Sequence, residues 1–135
     1  PIMRVSSVPD YILTMERAIV AALADAGLEA GTRLGHKHVG VWAGERKIAS
    51  VGVHISQGVS SHGFAVNVTN DLDPFSWVVA CGLPEVRMTS LRAEGVDEGL
   101  ACFRKRMGYR FAEAFGRRQR LVSAARLGVE TLVPA

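Results

Sequence analysis

Between Lys47 and Ser56 the side chains alternate with a period of two. Lys47, Ala49, Val51, Val53 and Ile55 share one parity, and Ser50, Gly52, His54 and Ser56 the other. A period of two predicts a strand with one apolar face. Phe64, Val66 and Val68 then alternate with Ala65, Asn67 and Thr69, and the polar stretch 57–61 between the two runs has the length of a hairpin connection. Two paired strands with one apolar face need a covering layer. The chain supplies two helical periodicities for that purpose. Ile12, Met15, Ile19, Ala22, Leu23 and Ala26 predict a helix from Asp10, as its cap, to a stop at Gly27. Leu100, Phe103, Met107, Phe111, Ala114 and Phe115 predict a second, over 96–116, with Asp97 as its cap. Residues 38–43 read as a short strand and 29–38 as a loop broken by Gly31 and Gly35. This order of helix, strands and helix predicts an α+β layer sandwich. A length of 135 residues suits one domain, residues 1–135.

Composition excludes several classes. With 48% hydrophobic and 21% charged residues the chain can bury a core, and no apolar run is long enough to span a bilayer. Cys81 and Cys102 are far apart and form no CxxC pair, which argues against a disulfide framework or structural zinc and fits a reducing, cytoplasmic setting. No signal or transit peptide is recognisable at the start. Charge is uneven. From Arg104 to Arg126 there are eight basic residues opposed only by Glu113, and the rest of the chain is slightly acidic. Such a segment reads as a solvated helix face or as a surface for an acidic partner.

Two residues stand out chemically. Lys47 has the parity of the apolar face, so it either snorkels off the strand end or sits partly desolvated. A desolvated lysine becomes a usable base near neutrality. Cys81 follows an apolar run and precedes Gly82. It is either a buried structural thiol or a nucleophile, beside which a glycine lets backbone N–H groups approach an oxyanion. Cys102 lies beside the apolar stripe of the second helix and reads as structural. His62 has the parity of Phe64 and Val66 and could line a pocket or serve as a hydrogen-bonded core residue. His36 and His38 have no third ligand nearby, so no metal site is expected. Trp42 and Trp77 read as core or pocket wall. No GxSxG, Walker loop, GxGxxG or PCxxC occurs. The basic helix lacks interleaved surface aromatics, which weakens a nucleic-acid reading.

Several stretches in register resemble one family. They are Gly40-Val41-Trp42, Arg46-Lys47-Ile48-Ala49-Ser50 with Gly52-Val53, and His62-Gly63-Phe64-Ala65-Val66-Asn67-Val68. Asp71-Leu72, Cys81-Gly82 and Met88-Thr89-Ser90-Leu91 come after these. Their order and spacing, closest over 39–94, are similar to the octanoyltransferases of lipoate synthesis. The resemblance implies a biotin/lipoyl protein ligase-like fold, related to class II synthetases, with a mixed sheet packed with helices. It implies transfer of an octanoyl group from acyl carrier protein to a lysine of a lipoyl domain, without ATP or any cofactor or metal. It places the catalytic cysteine on Cys81, as a thioester-forming nucleophile, and the catalytic lysine on Lys47, as acid and base. It also implies substrate contacts from His62, Gly63, Ala49, Ser50, Gly52 and Gly82. The implied partners are octanoyl-acyl carrier protein, the lipoyl domains of 2-oxoacid dehydrogenase complexes and the glycine cleavage H protein, with no nucleic acid and no membrane.

The family's upstream Arg-Gly-Gly and His-Gly-Pro-Gly-Gln stretches do not occur here, and Pro1-Ile2 resembles the family's residues just C-terminal to that segment. The chain is therefore expected to be the C-terminal portion of an octanoyltransferase-like catalytic domain. Two other classes remain open. One is an ATP-dependent lipoate or biotin ligase, which would not need Cys81. The other is a truncated, non-catalytic module that binds lipoyl domains or acyl carrier protein.

Overall fold

The structure is a computed structural model, and it describes residues 7–35, 38–78 and 85–128. Helix α1 (Val8–Asp25) begins earlier than the sequence suggests, because Ser7 rather than Asp10 is its cap. The Asp10 N–H donates to Ser7 Oγ at 3.2 Å and Ser7 Oγ donates back to Asp10 Oδ2 at 2.7 Å, a reciprocal cap. Its buried face is Met15, Glu16, Ala18, Ile19, Ala22 and Leu23.

Four strands come next along the chain: β1 (Gly31–Thr32), β2 (Val41–Ala43), β3 (Arg46–Ser56) and β4 (Val59–Val66). They form an antiparallel sheet in the order β1-β2-β3-β4. The expected loop over 29–38 thus contains a short edge strand, which pairs Gly31 with Trp42 and Thr32 with Val41. Two residues are too few to show a period, so only pairing partners define β1. The β3–β4 connection is also tighter than expected. Ser56 already faces Val59, and the turn is Gln57-Gly58 alone. Both turn residues have positive φ, 49° and 75°, the turn whose twist suits a two-residue hairpin.

On the side of β3 away from β2, its N-terminal part meets Arg87–Thr89. Lys47 N–H donates to the Arg87 carbonyl at 2.8 Å, and Thr89 N–H donates to the Lys47 carbonyl at 2.9 Å. Lys47 and Met88 form an isolated parallel bridge, the one parallel pairing among the described residues beside the four antiparallel strands. Helix α2 (Leu100–Ala114) starts at a Gly99 cap, four residues later than expected, and Asp97 is not its cap. Its Phe103 and Met107 are buried against α1 and the sheet, in a core with Ile19, Leu23, Val41, Ile48, Ala49, Val68 and Leu91. Phe111 packs on the edge of that core. Cys102 points outward and is exposed, contrary to a structural role in the core. Trp42 is buried, whereas Trp77 is exposed and is not a core residue. The basic segment meets more acid than Glu113. Arg110 pairs with Asp25 and Glu113, and Arg106 with Glu98. No described helix is long and apolar enough to cross a membrane.

Candidate active site around Lys47

Lys47 is only 1% exposed, among the deepest side chains of the molecule. The local register explains why. Val41 pairs with Ala49 but Trp42 pairs with Lys47, so the β2–β3 ladder shifts by one residue opposite Lys47–Ala49. All three residues of β3 at the shift are buried, where simple alternation would have exposed Ile48. Irregularities of this kind re-aim side chains and recur beside functional sites. Because the Lys47 backbone bonds toward Arg87 and Thr89, Trp42 and Lys47 face each other as a closely spaced, non-hydrogen-bonded pair. The Lys47 Nζ lies 5.6 Å from the centre of the Trp42 ring. That indole is fixed from two directions. Its Nε1 donates to the His38 carbonyl at 3.0 Å, and the Arg33 guanidinium stacks 4.2 Å from the ring centre.

Gly40 forms the next wall. Its φ is +134°, and a Cβ there would lie 2.6 Å from Lys47 Cε and 3.2 Å from Lys47 Nζ. The lysine therefore runs directly over the Gly40 α-carbon. The Gly40 N–H in turn donates to Glu16 Oε1 at 2.6 Å. Glu16 is 6% exposed, on the buried face of α1. Burial raises its pKa above the ordinary carboxylate value, while the Gly40 hydrogen bond and the charge of Lys47 oppose the rise.

The stretches that carry the family resemblance converge on this wall. Asn67 N–H donates to the Ile48 carbonyl, Asn67 Nδ2 donates to the Thr89 carbonyl at 3.0 Å, and Leu91 N–H donates to the Asn67 carbonyl. Thr89 and Arg46 both donate to the Glu94 carboxylate, Arg46 at 2.7 Å. Ala49 is buried beside Lys47 and Ser50 is half-buried. Gly52 and Gly63 are cross-strand partners further along, and a Cβ on either would meet nothing within 4 Å, so they leave bare backbone on the sheet. His62 pairs with Val53 but has φ 67° and an exposed side chain. Cys81 and Gly82 lie outside the described residues, as does His36.

The sequence reading missed Glu16. Its signal was present: a carboxylate three residues before Ile19, inside the apolar stripe of α1. No group of three or more potential metal ligands occurs among the described residues.

A family model, the lipoyl protein ligase A/B catalytic domain, matches residues 1–112. The chain belongs to that family. Among curated relatives, an octanoyltransferase of Solibacter usitatus is 48% identical over 107 residues, 79% of this chain and 46% of the relative. One of Dictyoglomus turgidum is 47% identical over 93 residues, 69% of this chain and 39% of the relative. The chain thus spans less than half the length of these relatives. Solved ligases share its fold. A lipoate-protein ligase A bound with ATP superposes with a TM-score of 0.69 at 21% identity, over 90% of this chain and 53% of the other. A bi-partite lipoate protein ligase from Thermoplasma acidophilum gives 0.64 at 23% identity, over 87% and 50%. The lipoate ligase-like fold expected from the sequence is therefore the fold of this chain.

Proposed function

We propose that this chain carries the lysine-and-cysteine part of an octanoyltransferase site, which moves an octanoyl group from acyl carrier protein to a lysine of a lipoyl domain. The observation that carries this reading is Lys47: a lysine 1% exposed, on a register shift, in a chain whose relatives are octanoyltransferases. A buried amine is costly to keep unless it has a task or a partner. The acceptors would be the lipoyl domains of 2-oxoacid dehydrogenase complexes and the glycine cleavage H protein. The setting would be the cytoplasm.

The chemistry divides into two steps. In the first, the Cys81 thiolate attacks the carbonyl of the octanoyl thioester. A new C–S bond forms, the bond to the carrier's sulfur breaks, and the departing thiolate takes up from solvent the proton that Cys81 released on ionising. One thioester replaces another, so the step depends on positioning and oxyanion stabilisation rather than on driving force. In the second, the acceptor amine attacks the Cys81 thioester. The C–N bond forms, the C–S bond breaks, and Cys81 recovers its thiol. A free lysine, with pKa of about 10.4, arrives mostly protonated. Lys47 takes the surplus proton from the amine and returns one to the departing sulfur. Amide formation from a thioester is downhill, so ATP is not consumed. Backbone bared at Gly52 and Gly63, with Ala49, Ser50, His62 and Gly82, would receive the substrate. Val51, Phe64 and Val66 offer apolar surface beside it. The basic α2 and its continuation would meet the acidic protein partners, raising on-rate more than affinity.

Incubation with octanoyl-acyl carrier protein tests the reading by intact mass. The expected product is an octanoyl adduct that is absent in Cys81→Ser. It should form but fail to pass to a lipoyl domain in Lys47→Met. Transfer that persists in Cys81→Ser and requires ATP would refute the proposal in favour of a ligase.

A further inference from the structure

The proposed chemistry uses Lys47 but leaves a second buried ionisable group idle. Glu16 comes from α1, is remote from Lys47 in sequence, and is hydrogen-bonded to the same glycine that Lys47 runs over. Its Oε1 holds the Gly40 N–H, and the Gly40 α-carbon is the surface over which the Lys47 stem runs.

Holding one backbone N–H does not require a charge. A glutamine would accept the same hydrogen bond and avoid the cost of burying a carboxylate. What a glutamine lacks is a negative charge facing the lysine. Lys47 is the charged group that acts on Glu16, and electrostatic coupling is reciprocal. Among the described residues, the Trp42 ring also lies near Lys47, with the Arg33 guanidinium stacked on it and the His38 carbonyl holding its indole N–H.

We propose that Glu16 is the positioning residue of Lys47: it locks Gly40 through its main-chain N–H and sets both the path of the lysine side chain and the charge it faces. Glu16 acts through Lys47 and touches no substrate. The inference rests on the role proposed for Lys47, and its test separates the two.

The first measurement needs no activity. The Glu16 carboxyl carbon is followed by carbon-13 NMR across pH in the wild-type protein and in Lys47→Met. Removing the lysine should move the Glu16 midpoint upward, since one of the influences holding it down is gone. An unchanged midpoint overturns the proposal. The second measurement is single-turnover transfer from the octanoylated protein to a lipoyl domain. Glu16→Gln keeps the Gly40 hydrogen bond but removes the charge that holds the Lys47 amine in place; with an unaltered melting temperature it should lower the maximal rate about 10- to 100-fold, with KM within about twofold. The pH profile of the rate should move to lower pH, because the negative charge facing the lysine has been removed, and Glu16→Asp should restore part of the rate. A Glu16→Gln protein with wild-type rate and profile, alongside an inactive Lys47→Met, refutes the positioning role and leaves the transferase intact. Wild-type transfer by Lys47→Met refutes the transferase role of the lysine, and the NMR titration then decides the coupling alone.

Discussion

Gly40→Ala should be among the most damaging single-methyl changes in the molecule. Gly40 has φ +134°, a backbone state that costs a non-glycine residue roughly 1–3 kcal/mol. The added Cβ would also overlap the Ala49 carbonyl oxygen and sit 2.6 Å from Lys47 Cε. The lysine stem can swing away. The Ala49 oxygen belongs to a paired strand and cannot, so overpacking adds about 1–3 kcal/mol. The expected loss is about 3–5 kcal/mol, a large share of the stability of a domain this size. The matched control is Gly44→Ala. Gly44 also has positive φ, +57°, but nothing lies within 4 Å of its Cβ position. Only the left-handed backbone counts there, about 1–2 kcal/mol. Urea unfolding at neutral pH measures both, and in a thermal melt Gly40→Ala should fall about 10–20 °C below wild type. Amine acylation mapped by peptide mass should also find Lys47 more reactive in Gly40→Ala, because its stem has been displaced. If the two variants lose stability within about 1 kcal/mol of each other, the close passage of Lys47 and Ala49 over Gly40 is wrong, and the geometry assigned to Glu16 fails with it.

The packing of the helices gives two further expected outcomes. Arg110 reaches across from α2 to Asp25 at 2.6 Å, and this bond holds the Asp25 pKa below its ordinary value. Stability from such a lowered carboxylate is present above the ordinary carboxylate range and is lost as pH falls through the folded value. Asp25→Asn should therefore lower the urea midpoint at neutral pH and converge with wild type in strong acid, whereas an equal loss at both pH values would contradict the pairing. Phe103→Ala removes a ring that is 2% exposed and should cost about 3–5 kcal/mol in urea unfolding. Leu100→Ala, at a position 52% exposed on the same helix, should cost within about 0.5 kcal/mol. Similar losses for the two would refute the orientation of α2.

The elements with long periods were legible in the sequence. Most of β3 carries a period of two and α1 and α2 repeat every three to four residues, because each presents one continuous face to one core. Lys47 was legible for the same reason, as a charge on an apolar parity. Features set by a single contact were not. β1 exists because two residues find β2, and Ser7 rather than Asp10 caps α1 because of where the first turn closes. Arg106 and Arg110 looked like part of a free basic run until Glu98 and Asp25 came to face them from elsewhere in the chain.

The linear order of residues was enough to determine the layer architecture, the hairpin and the lysine on its buried parity, since these depend on neighbours within one segment. Only tertiary structure decided that Ile48 is buried along with Lys47 and Ala49, through a one-residue slip against β2. It alone brought Glu16, Gly40 and Lys47 to one point. The physical reason is reach. A periodic face is written locally, whereas a contact between α1 and β3 is fixed by the shape of the core that lies between them.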